Sequence, residues 1–150
     1  MTKVAINGFG RIGRAFLRAL QQQPGKAILE VVAINDLARA EQCAYLLKYD
    51  SVYGRAPFSV ETENGALLVG GKRVALFAEP DPTKLPWKDL GIDIVVEATG
   101  LFASYEKAKA HLDAGAKRVV ITAPVKDEAA SSGIEGATVL IGINEDKLQT

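Results

Sequence analysis

The stretch Gly8-Phe9-Gly10-Arg11-Ile12-Gly13 spaces three glycines as G-x-G-x-x-G between an apolar run and a helical pattern. In that setting the first glycine permits a tight turn, the second lets a phosphate approach the backbone, and the third lets helix and strand pack closely. The N–H groups of Arg11 and Ile12 then stand at the positive end of a helix, where an anion is stabilised. Asp36, in VVAINDLA, follows roughly 20 residues later, the interval at which a carboxylate accepts the two hydroxyls of a ribose. Together these residues suit a dinucleotide held by its pyrophosphate. The carboxylate favours NAD over NADP because it repels a 2′-phosphate. Asp36 alone suits a simpler task equally well, capping a helix that begins near Ala38.

Two later strand ends have the composition to complete a cleft: VVEATGLF ends in Thr99-Gly100, and VVITAP ends in Thr122-Ala123-Pro124. Small residues there leave room for a ligand and the hydroxyls supply donors; each by itself also reads as strand-terminating turn chemistry. The one cysteine, Cys43 in EQCAYLLK, lies on an apolar helical face without a neighbouring base and reads as a buried structural residue. The one histidine, His111 in the Lys-rich KAKAHLDAG, reads as a surface helix residue. No nucleophile–base arrangement and no His/Cys metal cluster can be proposed from one of each.

The elements that must position these residues alternate. Apolar, β-branched runs at 4–6, 29–34, 92–96, 119–122 and 139–143 lack polar alternation, as strands covered on both faces do. Between the first two, Ile12, Phe16 and Leu20 form one helical face. Cys43, Leu46 and Leu47 form another. SYEKAKAHLDAGA starts with an N-cap, Ser104, and stops at Gly115. In the middle, 58–62, 66–69 and 74–77 read as short strands joined by ENG and GGK turns, followed by a Pro-rich loop, EPDPTKLPW. The expected fold is α/β: a doubly wound, mostly parallel Rossmann-type sheet with a small antiparallel insertion, one dinucleotide-binding domain over 1–150. Tyr45, Tyr49 and Tyr53 lie four apart. They read as packing residues, with 50–54 forming a turn.

Lys plus Arg and Asp plus Glu both number 18, so the net charge of zero gives no footprint for nucleic acid or an anionic membrane. Hydrophobic residues at 48% argue for a folded core, and no apolar segment is long enough to span a membrane. With a single cysteine and no signal-peptide pattern at TKVAING, a cytoplasmic protein is expected. The charged stretches EKAKAHLDAGAKR and VKDEAASSGIEG read as a solvated helix face and a polar loop.

INGFGRIGR, AINDL, LLKYDSVYGR, DIVVEATG and AGAKRVVITAP, in that order, resemble the N-terminal half of the phosphorylating glyceraldehyde-3-phosphate dehydrogenases over essentially the whole chain. The erythrose-4-phosphate dehydrogenases are close relatives with similar strings. The resemblance implies NAD as cofactor, with Asn7, Gly8, Gly10, Arg11 and Ile12 lining its pyrophosphate and nicotinamide, and Asp36 on the adenosine ribose. It also implies Leu37 near the adenine, Thr99, Gly100 and Leu101 beside the middle of the cofactor, and Thr122 with Ala123 toward the nicotinamide. One departure stands out: where the family commonly has an arginine or lysine after a glutamate, this chain reads Glu79-Pro80-Asp81-Pro82. Pro80 in that place supplies no basic side chain for a contact to the adenine region.

In that family a cysteine in an S-C-T-T-N-like stretch attacks the aldehyde and a histidine activates it. VLIGINEDKLQT resembles the family just before that stretch, so the resemblance implies a chain without its catalytic half. Such a chain binds NAD, turns no substrate over, and exposes docking surfaces through which it self-associates. Two other readings compete: a piece of an active oxidoreductase, and an interaction module with a vestigial nucleotide site.

Overall fold

A computed structural model describes residues 1–23 and 28–148. The elements run β1 (Thr2–Asn7), α1 (Arg11–Gln21), β2 (Leu29–Asn35), α2 (Ala40–Lys48), β3 (Tyr49–Asp50), β4 (Gly54–Arg55), β5 (Val60–Glu63), β6 (Ala66–Val69) and β7 (Lys72–Phe77). Then follow α3 (Trp87–Leu90), β8 (Ile94–Glu97), α4 (Tyr105–Asp113) and β9 (Arg118–Ile121). Seven strands form one sheet in the order β5-β6-β7-β2-β1-β8-β9, while β3 and β4 pair as a separate hairpin. The five strands from β7 to β9 are joined by parallel pairings, and β5-β6-β7 by antiparallel ones. The expected antiparallel excursion is therefore continuous with the main sheet, because β7 returns beside β2.

Alternate residues along β1 and β2 divide the core between the two faces. Ile6 and Ile34 pack with Leu17 of α1 and with Cys43 and Leu47 of α2. Ala5 and Ala33 face the other way, against Trp87, Ile92, Val95 and Ala116. The small residues in β1 and β2 make room for the indole, which is fully buried and meets Phe77 edge-on.

Several expectations are corrected. In α1 the buried residues are Gly13, Leu17 and Arg18, while Ile12 is 54% exposed; the helix face is rotated toward its glycine, which lets α1 approach β1. Arg18 is buried because its guanidinium donates to the carbonyls of Leu47 and Gly54, tying α1 to the end of α2 and the β3–β4 hairpin. Leu46 lies at the surface, unlike Cys43 and Leu47. Tyr45, Tyr49 and Tyr53 are exposed, and the first two rings meet at a tilt with centroids 5.1 Å apart. The Pro-rich loop runs into α3, whose first residue, Trp87, enters the core.

The run 139–143 is not a strand. Asn144 folds it onto itself, its Oδ1 accepting from the N–H of Leu140 and its Nδ2 donating to the carbonyl of Thr138. Gly142 takes a positive φ of 83°, and Ile141 is 93% exposed. The last two residues of VLIGINEDKLQT lie outside the described residues.

A Cβ at Gly13 would lie 2.3 Å from the carbonyl oxygen of Gly8. Gly13→Ala is expected to cost about 1–3 kcal/mol by forcing α1 from β1, read as a lower urea midpoint; an unchanged midpoint would show that the contact yields freely.

Candidate functional site

Parallel registry lines up the carboxyl ends of the central strands. Asn7 of β1 is the register partner of Asn35 of β2 on one side and of Glu97 of β8 on the other. One step beyond this row stand Gly8, Asp36 and Ala98. Strand order turns away in both directions from β1, toward β2 and β7 on one side and β8 and β9 on the other. A crevice at such a switch point is where open α/β sheets take their ligands.

The glycine loop is fitted to this place. Gly8 has φ +92° and lies so close to β8 that a Cβ would fall 2.6 Å from the nitrogen of Thr99. Phe9 is buried in the core with its neighbours Leu17 and Ile34 and anchors the loop. Gly10 differs from both flanking glycines, because a Cβ there would meet nothing within 4 Å. Its absence leaves space open to the outside. Gly10 is the N-cap of α1, with no side-chain cap and no acidic residue in the first turn. The helix therefore presents an uncompensated positive end, which suits a phosphate.

Asp36 does not cap a helix, since α2 begins at Ala40 with Arg39 as N-cap. Its Oδ2 accepts from the N–H of Phe9 at 2.7 Å and its Oδ1 from the N–H of Ala38 at 2.9 Å. The carboxylate thus braces the glycine loop from β2 and keeps acceptor capacity on both oxygens. Leu37 and Leu101 are exposed apolar side chains in the loops after β2 and β8, and Ile12 is exposed in the first turn of α1. The Arg11 guanidinium turns away toward the β3–β4 hairpin, bonding Ser51 at 2.9 Å with Asp50 3.8 Å away. Pro80 follows Glu79, whose backbone N–H and C=O are both bonded by the Asn35 amide.

Beneath the crevice runs a line of buried polar groups. The Asn7 side chain is 1% exposed, its oxygen accepting from Asn35 Nδ2 and its nitrogen donating to Glu97 Oε2 at 2.6 Å. Asn7 therefore serves the site from behind rather than lining it. His111, expected at the surface, is 0% exposed; its Nε2 lies 2.9 Å from Glu97 Oε2, and its Nδ1 accepts from Trp87 Nε1 at 3.1 Å. The other Glu97 oxygen accepts from both the N–H and the hydroxyl of Thr99. Thr122 donates its hydroxyl to the Glu97 carbonyl. Both threonine hydroxyl protons, expected as ligand donors, are thus already used, and the N–H groups of Thr99, Leu101 and Thr122 are bonded as well, which leaves the threonines only oxygen lone pairs for a ligand.

Burial pushes the Glu97 carboxyl up, but hydrogen bonds from His111, Asn7 and Thr99 outweigh it and hold the group below the usual carboxylate range. Burial raises the Cys43 thiol, helped by the nearby Asp36 charge, to about 11, the opposite of what a thiolate nucleophile needs. Asp127, in the loop after β9, accepts from the N–H groups of Tyr105 and Glu106 and joins Ser104 in capping α4. Two surface depressions have other linings, one at 55–61 with Lys48, and one along α1 at Ile12, Phe16 and Arg18 beside Tyr53. Among the described residues no cluster of His, Cys, Asp and Glu could hold a metal, and no helix is long and apolar enough to cross a membrane.

Comparison with known proteins decides the family. The family described as "Glyceraldehyde 3-phosphate dehydrogenase, NAD binding domain" matches residues 2–105. The chain belongs to this family. Glyceraldehyde-3-phosphate dehydrogenase of Thermotoga maritima is 54% identical over 149 residues, covering 99% of this chain and 42% of that protein. Those of Clostridium pasteurianum and Mycobacterium avium are 53% and 52% identical, covering 99% and 97% of this chain and 41% and 42% of theirs. The chain thus spans about two fifths of the length of the curated relatives it matches. It is an NAD-binding domain of the glyceraldehyde-3-phosphate dehydrogenase family, built on the expected α/β sheet with NAD as its cofactor.

Within this NAD-binding domain, sequence reasoning missed Glu97, Trp87 and Asp127. Glu97 carried one usable signal: a lone acid ending the apolar run DIVVE, where a buried charge demands partners.

The lowered Glu97 carboxyl makes stability depend on pH with a definite sign. It stabilises the fold above the ordinary glutamate value of 4.5, and that contribution is lost as pH falls through its lower folded-state value. The urea midpoint is expected to drop between about pH 6 and pH 3. Glu97→Gln should be less stable at neutral pH and less steeply pH-dependent; an unaltered slope would remove Glu97 from this account.

Proposed function

We propose that NAD lies across the carboxyl ends of β2, β1, β8 and β9, with its adenosine half over β2 and its nicotinamide half over β8 and β9. In this reading Asp36 accepts the hydroxyls of the adenosine ribose, and Leu37 flanks the adenine. The N–H groups of Arg11 and Ile12, reached past Gly8 and Gly10, hold the pyrophosphate. Thr99, Gly100 and Leu101 flank the middle of the cofactor, and Thr122 and Ala123 its nicotinamide end. Asn7 acts from below. Pro80 offers no side-chain bond to the adenine, so Asp36 carries that side. The single observation that supports this most is the contrast among the three glycines: two are packed shut, and Gly10 alone faces open space above an uncapped helix end.

NAD supplies a ring that accepts hydride. We further propose that the chain serves as the cofactor-holding half of an enzyme that oxidises a phosphorylated three- or four-carbon aldehyde. Cys43 is buried with a raised thiol and His111 is bonded on both nitrogens, so neither suits attack on an aldehyde. The nucleophile then comes from a catalytic partner segment, and these residues alone bind NAD without turnover. Exposed Leu140, Ile141 and Ile143 suit the docking of that segment or of a second copy. The free Cys43 is in keeping with a cytoplasmic, reducing setting.

Calorimetric titration tests the reading. One-site NAD binding is expected, with NADP at least about tenfold weaker because of Asp36. Gly10→Ala should leave the melting temperature unchanged and weaken NAD by about tenfold or more. A folded chain that releases no heat with NAD, or a Gly10→Ala chain that binds like wild type, would refute it.

A further inference from the structure

His111 lies at the inner end of the buried polar line, its ring between Trp87 and Phe102. Trp87 Nε1 is a donor only, so His111 Nδ1 has to accept, which puts the ring hydrogen on Nε2. That hydrogen points at Glu97 Oε2. Asn7 Nδ2 lies 3.3 Å from His111 Nε2. Both are donors here, so their proximity reflects convergence on one oxygen and not a bond between them. The indole thus fixes the direction of the whole line, from the core toward the crevice.

The line ends on Thr99. Glu97 Oε1 accepts from the Thr99 N–H at 2.8 Å and from its hydroxyl, and the Thr99 Oγ1 so oriented accepts from the N–H of Leu101 at 3.0 Å. Between them Gly100 turns the chain with φ +75°. The conformation of 99–101 therefore depends on the rotation of one carboxylate. Asn7 cannot set that rotation alone, because its amide is itself oriented by Asn35 from the far side.

We infer that His111 is a positioning residue for cofactor binding: acting through Glu97, it fixes the Thr99-Gly100-Leu101 segment under the half of the dinucleotide that lies away from Asp36. This rests on the reading of the crevice as the NAD site. It separates two ligand halves. AMP needs the β2 side, while NAD also needs the β8 side.

The test uses two substitutions one methylene apart. His111→Gln reaches Glu97 with an N–H donor, whereas His111→Asn is too short to do so but keeps an acceptor for Trp87. By calorimetry, His111→Asn is expected to weaken NAD about tenfold, the effect of one lost hydrogen bond to a charged group, and AMP by less than about twofold. His111→Gln should recover NAD binding to within about threefold of wild type. In the ligand-free protein, His111→Asn should selectively lose hydrogen-exchange protection at the Thr99 and Leu101 amides. Equal weakening of NAD and AMP, no weakening of either, or unchanged exchange at Thr99 would overturn the inference. So would nitrogen NMR of the wild-type protein that finds the ring hydrogen on Nδ1, a result that needs no variant to fold. A wild-type chain that binds neither nucleotide would refute the NAD reading. The exchange at Thr99 would still decide the role of His111.

Discussion

A negative charge is buried at the end of β8 with no lysine or arginine among the described residues to meet it, and most of the site's geometry follows from how that is resolved. Glu97 is accommodated by donors alone: His111, Asn7, and the N–H and hydroxyl of Thr99. A buried carboxylate with an unfilled acceptor position is costly, so each donor is held to one orientation. Those orientations propagate outward. They turn the Thr99 hydroxyl inward, commit the Asn7 amide, and with it the Asn35 amide that holds the backbone of Glu79.

The same row explains why the crevice is shaped by backbone. Polar side chains at the strand ends face one another below the opening, so what they offer a ligand is position and not direct contact. The loop above them is built by exclusion: Gly8 and Gly13 allow backbone to meet backbone, and Phe9 pins the loop into the core. Asp36 is the exception. It braces the loop from β2 while keeping acceptor capacity, so support and recognition meet in one side chain.

Much of this was legible in the residues. The glycine spacing, Asp36 and the β-branched runs each carry a local physical reason, and the loop, the acid and the parallel core stand where those reasons put them. What was hidden depends on distant partners. His111 sits in a lysine-rich helix whose exposed Glu106, Lys107 and Lys109 mask its one buried face with Ala108. Its neighbour Trp87 lies in a segment that reads as a proline-rich loop. The run 139–143 is apolar enough for a strand, but Gly142 and the Asn144 side chain give its backbone local partners instead of a sheet. Ile12 lies outside because spacing in a helix gives the period of an apolar face without saying which flank meets the sheet; Gly13 decides that.

The position of β1 in the middle of the five parallel strands also sets an order in time. Its pairing with β2 closes over a short β-α-β unit, but on its other flank Asn7 meets Glu97, 90 residues further along the chain. A ribosome adding roughly 5–20 residues per second leaves that flank of β1 without its partner for seconds. Throughout that interval the nascent chain carries an open hydrogen-bonding edge on what becomes an interior strand, exposed to mispairing until β8 arrives.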